Sequence, residues 1–191
     1  MRKLIVEQWL SIDGFAEDRN GQLDYFPSSE ANRYADEGQL KFLETIDTIL
    51  LGRKTYELFV DYWPTATTDK EIIADKLNEI PKVVFSNSLK KAPWGTWKEA
   101  QVVTGDAVDA IRKLKQRPGK DMILWGSISL TQALIKADVI DLYKFRICPT
   151  AVGGGRLLFP EFDQYKSLKL VDQGAYENGI VYLSYVPDRK T

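Results

Sequence analysis

The chain has 191 residues, 44% of them hydrophobic and 12% aromatic, with 26 Lys and Arg set against 27 Asp and Glu. This length suits a single domain over 1–191, the apolar share excludes a disordered chain, and a net charge of −1 leaves no positive excess to hold a nucleic-acid backbone. There is no histidine, which removes Ser-His-Asp and Cys-His nucleophile systems and every His-ligated metal site, so no metal centre is expected.

Lys3 to Leu10 is an apolar run that reads as a buried strand and breaks at Ser11-Ile12-Asp13-Gly14, with Asn20-Gly21 marking a turn in the loop beyond. From Ser29 to about Thr45 the spacing of Tyr34, Leu40 and Leu43 predicts a helix, with Ser28 or Ser29 as its cap. Thr48 to Leu51 is a short strand ending at Gly52. Lys54 to Tyr62 is helical up to Trp63-Pro64, and Lys70 to Asn78 is helical up to Pro81. Lys82 to Phe85 is a strand that runs into Ser86-Asn87-Ser88. Lys90 to Glu99, with Pro93 and Gly95, reads as a loop whose Trp94 and Trp97 cover the core.

Gln101 to Thr104 is a further strand, followed by an Asp106-capped helix carrying Val108, Ile111 and Leu114 on one face. Met122 to Trp125 is a strand that meets Gly126-Ser127 and a helical stripe of Leu130, Leu134 and Ala137. Leu142 to Cys148 is a strand in which Cys148, the only cysteine, reads as a small buried apolar residue. Pro149 to Arg156 reads as a flexible glycine-rich connection, and Leu168 to Val186 as an antiparallel hairpin around Glu177-Asn178-Gly179. The order predicts an α/β fold: a mixed, mostly parallel sheet, helices on both faces and antiparallel strands at one edge. No apolar run approaches the ~18–20 residues of a membrane span, and Glu7 interrupts the basic start before a signal-like core forms, so a cytoplasmic protein is expected.

In such sheets ligands bind beyond the carboxyl ends of the strands. Gly52-Arg53-Lys54-Thr55 offers backbone N–H groups at a helix start, two cations and a hydroxyl to an anion; it equally fits a tight turn followed by solvated charges. Gly126-Ser127-Ile128-Ser129 repeats the arrangement without charge, as an uncharged cradle for a pyrophosphate or as a plain capped helix start. Ser86, Asn87 and Ser88 supply donors at a third strand end. Together the three suit a dinucleotide carrying a ribose phosphate.

Five blocks in order carry a resemblance: Leu10-Ser11-Ile12-Asp13-Gly14, Leu51-Gly52-Arg53-Lys54-Thr55-Tyr56, Lys82-Val83-Val84-Phe85-Ser86, Leu124-Trp125-Gly126-Ser127, and Val152-Gly153-Gly154-Gly155 leading to Leu158-Phe159-Pro160. They resemble the dihydrofolate reductase fold and, more closely, the relatives that include the reductase domain of bacterial riboflavin biosynthesis, the RibD C-terminal domain family. The resemblance spans essentially the whole chain and implies NADPH as cofactor. It implies phosphate contacts at Arg53, Lys54 and Thr55, a ribose-phosphate region at Ser86 and Asn87, and a pyrophosphate turn at Gly126, Ser127 and Ile128. It also implies a mobile loop from Ser11 to Ala16 over the nicotinamide, with Gln8 and Trp9 lining that pocket.

Two departures stand out. The family's carboxylate on the first long helix has no ungapped match, Asp36 and Glu37 being nearest, although by their spacing both read as part of a solvated face. The glycine pair at the pyrophosphate turn is reduced to Gly126 followed by Ser127, which gives up the positive-φ freedom of glycine. Trp9 and Tyr34 are aromatic candidates for the substrate walls. The expected activity is NADPH-dependent reduction, by hydride transfer, of a small heterocyclic or carbonyl substrate that is pterin-like or aminopyrimidine-like. The alternative is a non-catalytic NADP-binding or sensor protein, and a third reading is an interaction protein with an empty cleft. The expected partner is a small-molecule substrate, not nucleic acid or membrane, with a homodimer through the C-terminal strands as an option.

Overall fold

In the computed structural model, which describes residues 1–26 and 37–188, the apolar runs become the middle of a nine-stranded sheet. The first half of the chain contains β1 (Leu4–Ser11), β2 (Phe15–Asp18), helix α1 (described over 37–43), β3 (Ile46–Gly52), α2 (Arg53–Val60), α3 (Ala74–Glu79) and β4 (Lys82–Phe85). A single 3-10 turn at Trp63–Thr65 separates α2 from α3. The second half contains β5 (Ala92–Trp94), β6 (Trp97–Val103), α4 (Ala107–Gln116), β7 (Asp121–Trp125), α5 (Ile128–Lys136), β8 (Leu142–Cys148), β9 (Gly155–Leu157), β10 (Leu168–Ala175) and β11 (Val181–Pro187).

The sheet order is β10-β11-β8-β1-β7-β3-β4-β6-β5. The pairings from β8 to β6 are all parallel, and β11 and β10 continue antiparallel. Alternation along the central strands sends side chains to two cores. Leu4, Val6, Leu50, Met122 and Leu124 pack with Ile111 of α4 and Leu134 of α5. Ile5, Ile49, Leu51 and Ile123 pack on the other side with Leu43 of α1, Tyr56 of α2 and Leu77 of α3. Because both faces are covered, these strands are continuous apolar runs, as buried parallel strands require. Among the described residues no helix is long and apolar enough to cross a membrane.

The helix expected over Lys70 to Asn78 is confined to Ala74–Glu79, and two further segments change type. Residues 92–103 are a hairpin and not a loop, so antiparallel strands close both edges of the sheet. Pro93 is tolerated because β5 is an edge strand, where a missing N–H costs no ladder bond, and Trp94 is fixed by its indole N–H donating to Asn78 Oδ1 at 2.7 Å. The glycine-rich stretch is likewise no free connection: β9 pairs with β2 in a second, two-stranded sheet. Gly155 sits at φ +146°, and a Cβ there would lie 2.0 Å from Glu17 O, so the close approach of β2 admits only glycine.

Lys82 opens β4 with its side chain buried, donating from Nζ to Leu77 O at 2.7 Å and Asn78 O at 2.6 Å at the end of α3, and lying 4.6 Å from the Trp94 ring centre. Burial pushes its amine down to about 7. Between that value and the unfolded value of about 10.4 the unfolded chain binds more protons, so stability rises with pH across this window. Lys82→Met is expected to lower stability by about 1–3 kcal/mol through two unpaired carbonyls. Urea unfolding from pH 7 to 10 should show the rise in the parent and its loss in the variant.

Candidate active site

The carboxyl ends of β1, β7, β3 and β4 open onto one cavity of about 1110 Å³, above the ~300–1,000 Å³ usual for a single small ligand. The starts of α2 and α5 stand side by side on its wall, since β3 and β7 are adjacent strands. Neither helix has a side-chain cap, so the first-turn N–H groups, the positive helix ends and the Arg53 and Lys54 side chains border the same hollow.

The two starts are stitched together. Gly52 N donates to Ser127 Oγ at 2.6 Å, and Ser127 N donates to Thr55 Oγ1 at 2.9 Å. The approach is tight: a Cβ on Gly52 would lie 3.0 Å from Ser127 Oγ, and one on Gly126 3.1 Å from the Thr55 side chain. Gly126 has φ +57° and Ser127 φ +59°, so Ser127 adopts the left-handed conformation despite its Cβ. That strain, of order 1–3 kcal/mol, is held by these bonds. It also corrects the cradle read from the sequence. The Ser127 amide and hydroxyl are spent on the stitch, and the amide groups left to face a ligand start at Ile128.

Of the other residues singled out from the sequence, Trp9, Ala16, Gly52, Arg53, Lys54, Thr55, Gly126, Ser127 and Ile128 all border the cavity. Arg53 is paired with Glu57, Nη1 to Oε1 at 2.7 Å. Ser86 and Asn87 border an adjoining hollow of about 280 Å³ that shares Phe85, Ser129 and Leu130 with the larger one. Ser88 lies outside both, its hydroxyl 3.3 Å from that of Ser86. Ser11 is buried away from the cavity, donating to Asp13 Oδ1 at 2.6 Å and accepting from Phe15 N at 3.0 Å. The Asp13 carboxylate also accepts from Gly153 N at 2.8 Å and Val152 N at 3.2 Å, which ties the loop after β1 to the glycine run. The Ser11 hydroxyl and those amides hold its carboxyl below the ordinary value. Tyr34 and Asp36 lie outside the described residues. Glu37 is exposed and borders neither hollow; Gln39 of the same helix, two residues and about 200° further round, is the one that reaches the cavity.

The sequence reading passed over a buried polar network on the cavity floor. Glu7 of β1 accepts at Oε2 from Gln39 Nε2 at 2.6 Å and Trp125 Nε1 at 2.8 Å, and at Oε1 from Arg146 Nε at 3.2 Å. Arg146 of β8 donates from Nη2 to Gln39 Oε1 at 3.0 Å and lies 5.1 Å from the Trp9 ring centre. Burial alone raises the Glu7 carboxyl. The charges of Arg146 and Lys144 and the bonds from Trp125 and Gln39 outweigh it and hold the group below its ordinary value. Burial lowers the Lys144 amine, whose Nζ sits 3.5 Å from the Phe42 ring centre. The signal was present in the sequence as opposite charges within two apolar strands, Glu7 in the first and Lys144 and Arg146 in the eighth. What was missing was that β1 and β8 are neighbours, with Glu7 opposite Lys144 and Trp9 opposite Arg146. Gln8, also buried and bordering the cavity, leaves its Oε1 without a hydrogen-bond partner.

The model of the RibD C-terminal domain matches residues 2–182. The uncharacterized protein YyaP of Bacillus subtilis (strain 168) is 31% identical over 187 residues, covering 96% of this chain and 94% of that protein. Among solved structures, a putative riboflavin biosynthesis protein from Shewanella sp. PV-4 superposes with TM-score 0.76 at 24% identity, over 98% of this chain and 99% of that one. A Thermotoga maritima protein named as a diaminohydroxyphosphoribosylaminopyrimidine deaminase/5-amino-6-(5-phosphoribosylamino)uracil reductase gives 0.63 at 14% identity, over 97% of this chain and 56% of that one. Dihydrofolate reductase from Enterococcus faecalis, complexed with NADP(H), gives 0.57 at 16% identity, over 97% and 96% of the two chains. At these identities the solved structures share the fold.

Breaking the buried pair leaves an uncompensated guanidinium, so Glu7→Gln should lose about 3–5 kcal/mol of stability at neutral pH by urea unfolding. Since the folded state lowers the Glu7 pKa, its stabilisation is present above the unfolded value of about 4.3 and disappears as pH falls through the folded one. The acid limb of the stability curve should therefore be shallower in the variant.

Proposed function

The chain belongs to the RibD C-terminal domain family, and from that membership and the paired helix starts we propose that it is an NADPH-dependent reductase of a small heterocyclic or carbonyl compound. The observation that carries this reading is the side-by-side, uncapped starts of α2 and α5 on one cavity, with Arg53 and Lys54 on the first and glycine at each strand end. Those residues suit separated phosphates of a dinucleotide: Arg53, Lys54 and Thr55 on one side, Gly126, Ile128 and Ser129 on the other, with Ser86 and Asn87 for a ribose phosphate. The unpartnered Gln8 Oε1 suits an amide N–H such as that of a nicotinamide carboxamide. By strand alternation Gln8 shares its side of the sheet with Val6 and Leu10, the core that includes Ala16 and Ile128.

NADPH held by these residues would supply the hydride. This chain's residues position the acceptor and exclude bulk water. Glu7, kept ionised by Arg146, is a positioning group: it holds Trp125, Gln39 and Arg146 in place.

Two variants test the reading by calorimetric titration with NADPH. Arg53→Ala should weaken binding about tenfold, the worth of one charge-assisted phosphate contact. Gln8→Met should weaken it too while raising the unfolding midpoint of the free protein, because a buried unpaired acceptor is removed. Absence of saturable NADPH binding to the parent, or parental affinity in both variants, refutes the proposal.

A further inference from the structure

The glycine run ends in a side chain that the sequence places within a connection and the structure places at the cavity. Arg156 stands in β9 opposite Glu17 of β2, and both border the hollow. Arg156 donates from Nη2 to Ser129 Oγ at 2.6 Å, which sets its guanidinium against the first turn of α5. A second link, Gln132 Nε2 donating to Leu157 O at 2.9 Å, holds β9 on the same helix.

The first turn of α5, Ile128-Ser129-Leu130, offers amides and a hydroxyl to an anion but carries no charged side chain of its own. Among the described residues, the cations bordering the cavity are Arg53 and Lys54 at the start of α2, Arg146, and Arg156. Arg146 is buried and bonded to Glu7 and Gln39. Arg156 is placed differently: its side chain is 38% exposed, Glu17 lies 3.7 Å away, and its bond to α5 is to a neutral hydroxyl. An ion pair this long and this open holds its partners weakly, so a phosphate can displace it, and the planar fork of arginine suits two phosphate oxygens at once. An independent sign of a ligand here is Gln8, 5% exposed, whose Oε1 lacks a partner at the same cavity. Strand alternation puts Gln8 on the face of the sheet that packs Ala16 of β2 and Ile128 of α5.

Resting on the reductase reading, we infer that Arg156 is a cofactor-binding residue: it leaves Glu17 to bind the pyrophosphate of NADPH over the start of α5, supplying from β9 the positive charge that this helix start lacks. Because β9 is paired with β2, the bound pyrophosphate ties the small sheet to α5.

The full chain and its Arg156→Met and Arg156→Lys variants are titrated calorimetrically with NADPH, with inorganic pyrophosphate, and with 2′-AMP, which carries a ribose phosphate and no pyrophosphate. Methionine keeps an unbranched apolar stem, and a weak surface pair contributes little to folding, so the unfolding midpoint of Arg156→Met should stay near that of the parent. This variant should bind NADPH and pyrophosphate about tenfold more weakly than the parent, the worth of one charge-assisted contact, and 2′-AMP equally well. Added salt should weaken its pyrophosphate binding less than it weakens that of the parent. Arg156→Lys should stay within about threefold of the parent, since it keeps the charge and loses the fork. Parental NADPH affinity in Arg156→Met, or an equal loss for 2′-AMP, overturns the inference and leaves the reductase reading standing. Pyrophosphate binding that depends on Arg156, without NADPH binding to the parent, supports the anion seat and rejects the reductase reading.

Discussion

The bond from Gly52 N to Ser127 Oγ, with its companion from Ser127 N to Thr55 Oγ1, joins two helix starts separated by 75 residues of sequence. Parallel pairing of β3 with β7 brings the strand ends together, but pairing alone leaves the following helices free to diverge. The stitch fixes them side by side at the cost of a left-handed serine, and glycine at both strand ends lets the Ser127 and Thr55 side chains lie close against the turn. The strain is kept in place by the surrounding bonds. The same bonds that orient the seat consume the Ser127 amide, which moves the ligand-facing donors one residue along α5.

Below that seat, Glu7 and Arg146 put a charged pair into the middle of an otherwise apolar sheet. Such a pair contributes little net stability, since desolvation offsets most of the attraction, yet losing one partner is costly. Its effect is on geometry. Trp125, Gln39 and Trp9 come from three elements, β7, α1 and β1, and each is held by Glu7 or stacked near Arg146. The floor of the cavity is thereby fixed by a carboxylate that stays ionised, while the aromatic walls above supply shape. The Arg53 and Lys54 cations sit at the start of α2, whereas the buried Arg146 guanidinium is paired with Glu7.

The loop after β1 is held by a parallel device. Asp13 accepts from the amides of Val152 and Gly153, and β2 pairs with β9, so the segment carrying Ala16 over the cavity is joined to a glycine run more than 130 residues later. Ala16 of β2 and Leu158 just after β9 are buried in the main core, which seats this small sheet on the large one.

By itself the sequence determined the order and type of the central elements. Runs such as Leu142 to Cys148 and Lys82 to Phe85 are continuous enough to be read as buried strands, and glycine followed by helix-forming residues marks the strand ends at Gly52 and Gly126, because periodicity and turn chemistry are local. Only the tertiary structure decided which strands are neighbours. The Ser127 to Thr55 stitch and the β2 to β9 pairing were invisible in the sequence for that reason, and the charges of Glu7 and Arg146, visible within apolar strands, could not be paired there. Pro93 and Gly95 misled in the other direction: their local preference is for a loop, and an edge position in the sheet overrode it, since there a strand can lack one N–H at no cost. Hydrogen bonds between groups 32 to 140 residues apart leave no periodic trace in the chain, and they exist only once the sheet has set its register.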